Sequence, residues 1–138
     1  MDARTYLEQI GKLGDYIKEC EREIERLRDD LESIKGISYD KDRVMASVAS
    51  DTLANKIDRI KQLEDQMSDI MIKCAEERAR IISQIRRVPN RVHMTLLLMR
   101  YVDLLKFEQI AIDMDYSYDR IVHIHKDALM SFESIYDI

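Results

Sequence analysis

Residues 3–35 read ARTYLEQIGKLGDYIKECEREIERLRDDLESIK, and this stretch decides the fold. Its apolar positions are Ala3, Tyr6, Ile10, Leu13, Ile17, Cys20, Ile24, Leu27, Leu31 and Ile34, spaced alternately three and four residues apart. That period puts them on one stripe of a helix and marks an a/d seam, the pattern of a helix packed along a partner helix. The remaining positions alternate in charge, as in KECEREIERLRDDLE, which suits a solvated helix surface. At 1.5 Å per residue the helix is roughly 50 Å long, too long for one small core to cover, so it needs a second helix beside it.

The second helix follows. Leu53, Ile57, Ile60, Leu63, Met67, Ile70, Cys74, Ile81, Ile85 and Val88 keep near-heptad spacing, interrupted at Glu77 and Arg78. The spacing predicts a helix over about 51–87, also roughly 50 Å long. Gly36 is a candidate C-cap for the first helix. Residues 36–50 lack a sustained period and are expected to form the loop of an antiparallel coiled-coil hairpin. Folding about that loop pairs residues whose numbers add to about 87, which sets Cys20 near Met67 and Cys74 near Leu13. The two cysteines then stand roughly 10 Å apart along the bundle, beyond disulfide reach, and read as small buried seam residues. Ile10, Leu13, Ile17, Ile24, Leu27, Leu31, Ile57, Ile60, Met67 and Ile70 form the expected oligomerisation seam. A two-helix hairpin leaves much of that seam at an edge, so a homodimer is expected.

Composition supports a helical reading. The 138 residues are 46% hydrophobic and 36% charged, with only 3 Gly and 1 Pro. All-β folds need turns, and turns draw on Gly and Pro. Neither Gly11 nor Gly14 precedes a Lys-Ser/Thr pair, so no phosphate-binding loop is present. The longest apolar cluster, MTLLLM at 94–99, is too short to span a bilayer. The N-terminal MDARTYLEQI has no signal-peptide core. A soluble, cytoplasmic protein with no membrane partner is expected.

Val88-Pro89-Asn90 sets a boundary near 89, because proline cannot continue a helix and Asn90 can cap the next. Residues 1–88 are thus read as the hairpin and 89–138 as a C-terminal domain of short helices: 91–102, 107–114 and 118–134. Asp115-Tyr116-Ser117 forms the turn before the third, and Ser117 caps it. A short helix, a three-residue turn and a longer helix make a helix-turn-helix pattern. An unliganded three-helix bundle has the same periodicity.

The stretch from Arg100 to Leu129, RYVDLLKFEQIAIDMDYSYDRIVHIHKDAL, resembles region four of bacterial sigma factors. In particular it looks like small phage and prophage regulators that carry such a domain behind a coiled-coil segment. Arg100-Tyr101-Val102, Gln109-Ile110-Ala111, Tyr116-Ser117 and His125 through Ala128-Leu129 carry the resemblance, and GISYDKDRV at 36–44 looks like the loop in such regulators. Asp115 and Leu104 stand where the family usually has glycine, Lys106 where it has a Ser/Thr cap, and Val122 where it often has arginine.

The resemblance implies a sequence-specific DNA-binding transcriptional regulator acting with RNA polymerase on double-stranded DNA. On the third helix, Tyr118, Asp119, Arg120, Val122, His123 and Lys126 are the candidate groove residues. Arg120 suits a guanine edge, His123 a base edge or phosphate, and Val122 a thymine methyl. Lys106 and Arg100 are candidate phosphate contacts. The chain carries a net charge of -5. Residues 87–138 hold six Lys/Arg against eight Asp/Glu, a net of -2. That balance supports the alternative, a protein–protein interaction module whose helix-turn-helix does not bind DNA. His125 is expected to be a half-buried packing group and His93 a surface residue. No nucleophile–base pair or metal-ligand spacing stands out, so no enzyme, cofactor, metal or small-molecule substrate is expected.

Overall fold

A computed structural model describes residues 1–36 and 43–136. Among these the protein is all-helical: α1 (Ala3–Leu7), α2 (Gln9–Gly36), α3 (Arg43–Ile85), α4 (Arg91–Leu97), a π-helical turn (Leu98–Val102), α5 (Phe107–Met114) and α6 (Tyr118–Tyr136). The chain divides into two compact units, Asp15–Ile72 and Met1–Gly14 with Lys73–Ile138.

In the Asp15–Ile72 unit, α2 and α3 run antiparallel. Buried Ile24, Ile60 and Leu63 form the core, with Leu27, Leu31 and Met67 packed on it. Ion pairs fix the register: Arg28 with Glu64 at 2.7 Å, Lys56 with Asp30 at 3.6 Å and Arg59 with Glu23 at 3.3 Å. These pairs lie to either side of the register expected from the sequence. Each has at least one exposed partner and contributes at most about 1 kcal/mol, so the apolar seam supplies the stability and the ion pairs select the alignment.

The α3 stripe differs from the expected one at one position. Ile57 is 40% exposed, whereas Lys56 is half-buried and bound to Asp30. Between 53 and 81 the inward side of α3 falls at 53, 56, 60, 63, 67, 70, 74, 77 and 81, an unbroken three–four alternation with half-buried Glu64 beside it. Lys56 and Glu77 therefore occupy seam positions. Lysine can do so because its aliphatic stem lies along apolar surface while the ammonium reaches a carboxylate. The expected interruption at Glu77 is absent, and Glu77 is paired with Arg80 on its own helix.

The loop expected over 36–50 is also corrected. Arg43 begins α3, so 43–50 is helical, and Gly36 is still within α2. Residues 37–42 lie outside the described residues. The first helix starts at Ala3 as expected, with a one-residue interruption at Glu8. Asp2 caps it, its Oδ1 accepting from the Thr5 amide at 2.8 Å. That bond holds the Asp2 carboxyl below its ordinary pKa.

In the other unit, Ala3, Leu7 and Ile10 share a core with Ile81, Ile85, Val88, Leu97, Tyr101, Val102, Ala128 and Phe132. The packing thus runs across the boundary expected near 89. Ile10, assigned to the oligomerisation seam from sequence, is buried in this core instead. Polar contacts reinforce it. Tyr6 donates its hydroxyl to Gln84 Oε1 at 2.5 Å, and Tyr136 donates to the Gln84 carbonyl at 2.7 Å. The Ala3 amide donates to Glu133 at 3.2 Å. The phenol rings of Tyr6 and Tyr136 flank Phe132 at 6.1 and 4.7 Å. Cys20 is buried and Cys74 half-buried, and both are free thiols.

Candidate nucleic-acid interface

The C-terminal helices are built from local signals that match the expected boundaries. Asn90 Oδ1 accepts from the amides of Val92 and His93 at 2.9 and 3.1 Å and so opens α4. Adjacent leucines at its end serve two cores: Leu97 joins the first, and Leu96 joins a second core with Ile110, Ala111 and Ile121. A helix buried on two sides must be apolar around most of its circumference, which explains the MTLLLM cluster. The π-helical turn after it, closed by the Asp103 amide on the Leu98 carbonyl at 3.0 Å, buries both Tyr101 and Val102.

Two non-glycine residues have positive φ, Leu104 at 58° and Asp115 at 59°. Asp115 lies in the left-handed region at the end of α5, and its amide reaches back to the Ala111 and Ile112 carbonyls. Aspartate tolerates this conformation better than most side chains. Leu104 tolerates it less well, and its Cδ2 lies 3.5 Å from where a Cβ on Gly11 would sit. Ser117 then caps α6, its Oγ accepting from the Arg120 amide at 3.2 Å. Lys106 precedes α5 without a side-chain cap bond.

On α6 the buried residues are Ile121, His125, Ala128 and Phe132. Tyr118, Asp119, Arg120, Val122, His123 and Lys126 are all exposed. At 3.6 residues per turn, Val122, Lys126, Asp119 and His123 occupy the middle of this face, with Tyr118 and Arg120 at its margins. Both margins are anchored by aromatic contacts. The Tyr118 ring meets Phe107 edge-on at 6.4 Å, and the Arg120 guanidinium lies 5.1 Å from the centre of the Tyr116 ring. The face carries Asp119 and Asp127 against Arg120 and Lys126, so its charge balances. Lys106 is also exposed.

Arg100 is placed differently from the other candidates. It is half-buried, its Nη1 donates to the Leu105 carbonyl at 3.0 Å, and its guanidinium lies 4.3 Å from the centre of the Phe107 ring. Arg100 therefore fastens residues 103–106 to α5 and is not a freely extended phosphate contact.

Sequence reasoning placed His125 as a packing group but missed its partner. The Tyr101 hydroxyl lies 2.6 Å from His125 Nε2, and Phe107 meets the imidazole edge-on at 4.9 Å. Burial is the main cause that lowers the His125 pKa to about 4, helped by the charges of Arg4 and Arg100. Burial likewise pushes the Tyr101 phenol up to about 12. The imidazole is thus neutral at pH 7. Nε2 and the phenol share one hydrogen bond, and which ring nitrogen carries the hydrogen sets its direction. His93, expected at the surface, is half-buried, and its Nδ1 has no hydrogen-bond partner among the described residues. No cluster of metal-ligating side chains occurs among the described residues. None of the described helices is long and apolar enough to cross a membrane.

No protein-family model matches the chain, and neither a curated protein nor a solved structure matches it.

Proposed function

We propose that the protein is a DNA-binding transcriptional regulator of phage type, in which α5 and α6 form a helix-turn-helix and α2 with α3 a coiled-coil hairpin. The observation that carries this reading is the α6 face. All six candidate positions between Tyr118 and Lys126 are exposed on a helix whose opposite side is locked into the core, and the turn before it has left-handed Asp115 and the Ser117 cap. A rigid helix with a free face is the geometry that enters a major groove. Arg120, pre-aligned on Tyr116, supplies a planar donor for guanine O6 and N7, and Val122 an apolar contact for a thymine methyl. Lys106 contacts a backbone phosphate. The resemblance at 100–129 adds RNA polymerase as the protein partner and the bacterial cytoplasm as the place of action.

The charge sets the expected strength. With a net of -2 over residues 87–138, few phosphates are neutralised, and affinity for DNA by one copy is weak. Fluorescence anisotropy against duplex DNA across a salt series tests the reading. The expected result is weak binding that falls as salt rises, with the shallow slope of a few phosphate contacts. Arg120→Ala is expected to cost about 1–3 kcal/mol on a preferred sequence, and Lys106→Ala to lower the salt slope by about 1. No binding at low salt refutes direct DNA recognition.

A second reading, a protein-interaction module, is favoured by one observation. Ile112 is 73% exposed on α5, with Val122 and Met130 also exposed on α6. Capture of RNA polymerase by the full chain, lost in Ile112→Glu and unaffected by Arg120→Ala, is the result this reading expects.

A further inference from the structure

The Asp15–Ile72 unit has two unlike flanks. One is spanned by Arg59–Glu23 and Lys56–Asp30. The other holds the Arg28–Glu64 pair and, beside it, a groove of about 610 Å³ lined by Glu21, Ile24, Glu25, Met67 and Ser68 as well as that pair. In heptad terms the first flank carries the g positions and the second the e and b positions of both helices. Ile57 and Met71 fall on the second flank and are exposed. The residue missing from the expected seam is therefore displaced onto the grooved side.

We propose that this grooved flank is the surface on which a second copy of the chain packs, forming an antiparallel four-helix bundle from two such units. Charge complementarity selects that occupant. Glu25 and Lys61 occupy equivalent b positions on α2 and α3, stand at one level of the antiparallel register, are exposed, and take no part in the ion pairs among the described residues. A two-fold axis along the helices lays α2 of one copy over α3 of the other. Glu25 then meets Lys61 of the partner subunit, and the same pair recurs on the other side of the axis. At this level the patch complements itself, as an isologous interface must, and Glu64, which stands level with Glu21, is neutralised by Arg28 of its own copy. Neighbouring helices are antiparallel throughout.

The size agrees. From Asp15 to Gly36, α2 runs about 33 Å, and two helices side by side are about 20 Å wide. This gives about 650 Å² per copy before side-chain relief, close to the roughly 800 Å² per partner of a standard interface. Pairing does not depend on the DNA reading, since a chain that binds no DNA can still dimerise through α2 and α3.

Sedimentation equilibrium of the full chain tests it. The wild type is expected to be a dimer that dissociates on dilution. Glu25→Lys and Lys61→Glu each set like charges together twice per dimer, and each is expected to weaken association about tenfold. The double variant Glu25→Lys/Lys61→Glu restores opposite charges and is expected to recover wild-type association to within about threefold. Unchanged helicity by circular dichroism confirms that these exposed substitutions leave the fold intact. A wild type that is monomeric at every concentration overturns the proposal and leaves the face to another partner. Single variants that dimerise as the wild type does, or a double variant that fails to recover, also overturn it.

Discussion

Acid should loosen the core around His125, by an amount the structure sets. The imidazole has a pKa of about 4 in the fold against an ordinary 6.5. Between these two values the unfolded chain binds a proton that the native chain refuses, so stability falls as pH falls through that window and is fully present above it. At about 1.4 kcal/mol per pH unit of separation, the loss between pH 6.5 and 4 is about 3 kcal/mol. A small domain holds only about 5–15 kcal/mol, so this is a large share of it. Carboxylates titrate near the lower end of the same range, and a variant is needed to isolate the histidine. Tyr101→Phe/His125→Phe removes both hydrogen-bonding partners together and leaves no buried polar group stranded, a change that can be close to neutral. Urea unfolding followed by circular dichroism at pH 7, 5.5 and 4 should show the wild type losing about 3 kcal/mol more than the double variant. Two pH profiles that run parallel would refute the reasoning. So would a His125 Cε1–H NMR titration with its midpoint near 6.5.

Other substitutions test the backbone and the core. Gly14 lies inside α2 with open space where a Cβ would go, so Gly14→Ala should raise stability by about 1 kcal/mol in urea titration. Asp115→Gly should stabilise by about 0.5–1 kcal/mol, because the residue has a φ of 59°, while Asp115→Val should destabilise by about 1–2 kcal/mol. Truncating fully buried Phe132 to alanine should cost about 3–5 kcal/mol and lower the melting temperature sharply. Asn90→Ala removes both amide contacts at the start of α4 and should cost about 1 kcal/mol.

The parts of the fold that were legible in the sequence are those set by local chemistry. The limits of α5 and the start of α6 follow from the Asp115 turn and the Ser117 cap, and the structure has both. The exposed face of α6 follows from its period alone, which is why the candidate groove residues on it emerged together. Errors arose where a residue's role depends on a distant partner. Reading only aliphatic residues favoured Ile57 over Lys56, because nothing near position 56 announces Asp30 across the hairpin. Arg100 looked free for the same reason, since its acceptor at Leu105 depends on the fold of the 103–106 segment. The start of α3 at Arg43 was missed because residues 43–50 have no sustained amphipathic period to mark a helix. That Ala3, Leu7 and Ile10 are apolar is plain in the sequence, but their partners on α6 lie more than a hundred residues away.

That last separation bears on synthesis. Phe132 completes the core that holds Ala3 and Leu7. On a ribosome the first helix therefore emerges long before its packing surface exists. The Asp15–Ile72 helices pack on each other and can pair once Ile72 has cleared the exit tunnel, while the core that closes over Phe132 must wait until Phe132 itself has emerged. Chain segments this far apart close slowly, because the entropy of a long loop is lost before the contacts form. In the interval the apolar side of α1 is open to solvent and to chaperones. A nonsense codon ahead of Phe132 would then release a product in which the apolar residues of α1 lack their partners on α6.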